Sequence, residues 1–114
     1  MATRIHIPRT FELMNRSWTV KWMTDADDAK IHDIHGTNPL DHVVLGFCDV
    51  ENAIIYLRKQ QNRENMYHTF LHELFHAFFA ALGFNYSKNT EERMVDSLGG
   101  CMHQFLKTKE GKLG

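Results

Sequence analysis

At 114 residues and 13.3 kDa the chain is long enough for one hydrophobic core and too short for two, so a single domain is expected over residues 1–107. With 43% hydrophobic and 24% charged residues and a formal net charge of -1, the composition excludes the disordered and nucleic-acid-coating classes. Met1 to Pro8 lacks an apolar core of signal-peptide length and no run is long enough to span a membrane, which sets the expectation of a cytoplasmic protein with no membrane partner.

The first half reads as strands and turns. Arg4 to Ile7 alternates polar and apolar residues, and Phe11 to Met14 and Trp18 to Met23 are short apolar-rich runs parted by Asn15-Arg16-Ser17. That pattern predicts a hairpin. Thr24 to Asp41, rich in aspartate with little periodicity, reads as a surface excursion between strands, and it carries His32 and His35 with His42 beside it. His42 to Val50 and Ala53 to Leu57 are two further predicted strands around the turn residues Asp49 to Asn52.

The second half reads as helices. From about Arg63 to Leu82 apolar residues recur every three or four positions, and Gly83 supplies the stop. The apolar stripe is wide, so a largely buried helix is expected. Asn85 to Asn89 reads as a polar loop; Thr90 is the expected N-cap of a second helix from about Glu91 to Lys107, and Thr108 to Gly114 is expected to fray. The fold class that follows is α+β, with a small, mostly antiparallel sheet packed on the first long helix.

Eight histidines exceed the about two or three that average usage gives a chain of this length. Two of them, His72 and His76, bracket Glu73-Leu74-Phe75 in the middle of the first long helix. Residues four apart share a helix face, so both imidazoles can reach one zinc ion, while Glu73 is placed to serve a water rather than the metal. An otherwise apolar helix with three polar residues in one turn and a half needs something to satisfy them. His68 is a turn earlier, about 12 Å of rise from His76, too far for all three to converge on one ion. Cys48 and Cys101 are expected to be free thiols, and Trp18, Trp22, Phe70, Phe75, Phe78 and Phe79 to fill the core.

A catalytic zinc needs three protein ligands and an open position, so a third ligand must come from elsewhere, and the second helix offers Glu91 and Glu92. The pairing of His72-Glu73-Leu74-Phe75-His76 with Glu92-Arg93-Met94-Val95-Asp96 resembles the gluzincin clan of zincin metallopeptidases and their minimal relatives, the minigluzincins. Small phage-encoded peptidase-like proteins are a further likeness. The resemblance implies one Zn2+ held by His72, His76 and Glu92, with Asp96 hydrogen-bonded to His72 and Glu73 as general base. It also implies a peptide or protein substrate. Glu91 competes with Glu92 for the metal, and the placement of Asp96 four residues beyond Glu92 favours Glu92. The C-terminal helical domain of the large gluzincins is not expected from this sequence, so a zinc-stabilised binding or regulatory module is the alternative expectation.

Overall fold

The computed structural model describes residues 6–38, 40 and 42–108. Its elements in chain order are β1 (Thr10–Leu13), β2 (Arg16–Trp22), α1 (Asp25–His35), β3 (Gly46–Asp49), β4 (Ile54–Leu57), α2 (Arg63–Leu82) and α3 (Lys88–Lys107). The class is α+β, with a four-stranded sheet in the order β1-β2-β4-β3. The sheet is mixed rather than mostly antiparallel in its centre: β1 and β3 run antiparallel to their neighbours, but β2 and β4 are parallel. The chain needs a crossover to make that parallel pair, and α1 with the segment after it supplies the length.

The hairpin between β1 and β2 closes earlier than the sequence pattern implies. Leu13 pairs with Arg16, so the loop is Met14-Asn15, and both residues have positive φ (49° and 66°). A two-residue loop of this type matches strand twist, and asparagine tolerates the left-handed region well. Of the two tryptophans, Trp18 is 1% exposed whereas Trp22 is 52% exposed at the strand's end, so only the first belongs to the core. Arg4 and Ile5 lie outside the described residues, and His6 and Ile7 are not in a strand.

Within Thr24 to Asp41 the chain forms a helix, α1 over Asp25–His35, where the sequence pattern implies a surface excursion; Pro39 and Asp41 lie outside the described residues. Thr24 caps α1: its hydroxyl accepts from the Asp27 N–H, and the Asp27 carboxylate accepts from the Thr24 N–H. Gly36 ends the helix in the left-handed conformation. The capping box and acidic first turn stabilise a helix whose apolar stripe is thin. Asp28 ties it to the body by pairing with Arg58 at 2.6 Å, while His32, 2% exposed, lies 2.7 Å from the hydroxyl of Thr37 just past the helix's own end.

The core forms where the sheet meets α2. Trp18, Ile55 and Leu57 from the sheet pack with Met66, Phe70, Leu71 and Ala77 of α2. Burying a side chain of this size contributes about 1.5–3 kcal/mol. Asn62 caps α2 and Gly83 terminates it as expected. Helix α3 starts at Lys88, three residues before the expected start, because Ser87 rather than Thr90 is the cap and accepts from the Thr90 N–H. Gly99 lets α3 lie close to α2: a Cβ there would stand 3.3 Å from the His72 backbone nitrogen. Thr108 caps the end of α3, and the rest of the tail lies outside the described residues. Cys48 and Cys101 are free. No helix among the described residues is long and apolar enough to cross a membrane.

Candidate metal centre

Helix α2 brings His72 and His76 to one face, and their rings stand 5.1 Å apart by centroid. Opposite them, the second turn of α3 presents Glu92. Its two oxygens divide between the rings, one 3.2 Å from His72 Nε2 and the other 2.9 Å from His76 Nε2. His72, His76 and Glu92 each offer a ligand atom within 4.8 Å of the others, the one such group among the described residues. Two imidazole nitrogens and a carboxylate oxygen, with no lysine or arginine lining the cleft, are a donor set that suits zinc or a similar divalent ion.

The remaining ring nitrogens also face carboxylates. Glu91 lies 2.6 Å from His76 Nδ1, and Asp96 lies 3.6 Å from His72 Nδ1. By sequence alone Glu91 and Glu92 compete for one role. The structure gives them different ones, with Glu92 facing both Nε2 atoms and Glu91 fixing the orientation of His76 from behind. Asp96 is near His72 as expected, but beyond hydrogen-bonding distance and mostly exposed, and it is shared with His68 Nε2 at 3.7 Å. His103 faces Glu64 at 3.3 Å, further along the same helix pair.

Glu73 lies under β3, in the wall of the same cleft as the two histidines, and is only 9% exposed. Burial, reinforced by the negative charge of Glu92, pushes its carboxyl up to about 8. Space for it exists because residue 46 is glycine: a Cβ there would come within 2.6 Å of Thr69 Cγ2 and 3.2 Å of Glu73 Cγ. The same burial, again with a carboxylate nearby, raises the Cys48 thiol.

These groups line a cleft of about 330 Å³ between β3, α2 and the start of α3. One further wall comes from an element absent from the sequence reading. His35, at the end of α1, lines the cleft and stands edge-on to Phe47 with ring centroids 5.3 Å apart. Partial burial lowers its pKa, with Lys88 and His32 adding to the shift and Glu92 opposing it. The signal for this residue was the capping box Thr24/Asp27 followed by Gly36, which defines a helix whose last residue is His35. No known protein family matches the chain, and no curated protein or solved structure matches it either.

Proposed function

We propose that the chain is a zinc-dependent peptidase of minimal zincin architecture, with His72, His76 and Glu92 as ligands and Glu73 as general base. The observation that carries this reading is the convergence of both Nε2 atoms and the Glu92 carboxylate in a cleft whose adjoining wall holds a buried carboxyl. The α2 histidines beneath a small sheet, closed by a glutamate from the next helix, agree with the gluzincin likeness of the sequence. When bound, zinc polarises the scissile carbonyl, acidifies water and favours the ionised form of the neighbouring Glu73. Glu73 accepts the proton from the attacking water as the new carbon–oxygen bond forms. It then returns that proton to the leaving nitrogen as the carbon–nitrogen bond breaks. Glu91 holds the His76 ring in register through Nδ1, and Asp96 does the same more loosely for His72.

The substrate lies along β3. This strand is at the sheet's edge, pairs with β4 on one side, and contributes Gly46, Phe47 and Cys48 to the cleft. An extended peptide added to its open side gains backbone hydrogen bonds without a demand on sequence. The test is Glu73→Gln assayed for zinc content and for cleavage of an unfolded protein. Retained zinc with a loss of at least about a hundredfold in rate supports the peptidase. Equal inactivity of both proteins with full zinc would favour the zinc-stabilised module.

A further inference from the structure

We infer that His35 is the side chain that stabilises the developing oxyanion in the cleft, a role that rests on the peptidase reading above. Attack by water moves the carbonyl π electrons onto oxygen, and a donor aimed at that charge is commonly the largest electrostatic contribution to the rate. Setting aside the three ligands, the base and the carboxylate behind His76, the cleft walls hold one side chain with a strong N–H donor. It is the imidazole of His35; the Cys48 thiol is a weak donor by comparison.

Its placement is held from three sides. The ring packs edge-on against Phe47 of the proposed substrate-binding strand, at 5.3 Å and 63°. Helix α1 is tied to the body of the fold two turns earlier by the Asp28–Arg58 pair at 2.6 Å. Gly36 turns the chain away directly after His35, so the side chain stands at the helix end, facing the cleft rather than a further turn. The imidazole donates a hydrogen bond to the oxyanion and keeps its proton; the proton that reaches the leaving amine comes from Glu73. His35 therefore contributes at the transition state and little to the binding of the ground-state peptide.

The experiment compares zinc-loaded wild type with His35→Ala, His35→Phe and His35→Gln. Because His35 is exposed at a helix end, each variant is expected to fold and to keep its full equivalent of zinc. His35→Phe keeps an aromatic ring against Phe47 but has no donor. Both it and His35→Ala should lose about a hundredfold or more in kcat with KM nearly unchanged, and His35→Gln should recover part of that loss. A phosphinic peptide, which carries a tetrahedral anion and needs no turnover, should bind more weakly to the Ala and Phe variants by calorimetry. Wild-type turnover and wild-type phosphinic affinity in His35→Phe would overturn the assignment and leave the peptidase reading standing. A zinc-loaded wild type that neither cleaves peptides nor binds the phosphinic peptide would overturn the peptidase reading, and this assignment with it.

Discussion

The Glu91 carboxylate sits 2.6 Å from Nδ1 of His76, on the far side of the ring from Glu92. Adjacent residues on one helix thus grip the two nitrogens of a single imidazole. They can do so because α3 begins at Lys88, which places both glutamates in its first two turns, beside the part of α2 that carries His76.

This pairing separates the two glutamates by experiment. Glu92→Ala should remove stoichiometric zinc, since it takes away a ligand. Glu91→Ala should fold and still bind, but about 10–100-fold more weakly, the usual cost of losing the partner of a metal-bound histidine. Competition against a chromophoric chelator measures both. Equal affinities for wild type and Glu91→Ala would mean that His76 needs no help from behind.

Asp96→Asn should cost less than Glu91→Ala. Its carboxylate is 3.6 Å from His72 Nδ1 and its side chain is 67% exposed, so water screens the interaction and competes for it. A loss of no more than about tenfold in zinc affinity is expected. A larger loss than that of Glu91→Ala would reverse the ranking drawn from the two distances.

Much of the centre could be read before the fold was known, because the helix period of 3.6 places His72, Glu73 and His76 without reference to anything distant. The boundaries of α2 at Arg63 and Leu82 followed from the same periodicity and from Gly83. What escaped was set by tertiary contacts or by weak local signals. Helix α1 has few apolar residues, so periodicity hid it, and its evidence lay in the reciprocal Thr24 and Asp27 cap. Without that helix the sequence pattern places His35 in a loop. The parallel register of β2 with β4 depends on a crossover that no local pattern encodes. The division of labour between Glu91 and Glu92 depends on how α3 is rotated, which Ser87 and the close approach at Gly99 help to set.

At Gly46 strand β3 packs tightly on side chains of α2, and filling that space should disturb both stability and the base. The added methyl of Gly46→Ala would meet Thr69 Cγ2 at 2.6 Å and Glu73 Cγ at 3.2 Å. Overpacking of this kind costs about 1–3 kcal/mol, read as a lower melting temperature. Thr69→Ser removes the methyl that clashes most, so the double variant Gly46→Ala with Thr69→Ser should regain part of the loss. If the double variant is the sum of the two singles, the contact is not what limits residue 46.

The burial of Glu73 predicts a pH dependence in zinc-free protein. Its carboxyl titrates near 4.5 when exposed and near 8 when folded, because burial and the charge of Glu92 both disfavour the ionised form. Between those values the unfolded chain has released a proton that the folded chain retains. Unfolding therefore becomes easier as pH rises through that window, and the stabilising contribution, full below pH 4.5, is gone above about 8. Glu73→Gln has no such proton and mimics the neutral acid in shape. The difference in unfolding free energy between wild type and this variant, from urea titrations in the presence of a chelator, should move against wild type by a few kcal/mol in order of magnitude from pH 5 to pH 8. Using the difference cancels the histidines and other carboxyls that both proteins share. A flat difference across that range would show that Glu73 is ionised in the folded zinc-free chain, and that solvent or a counter-charge reaches it beneath β3.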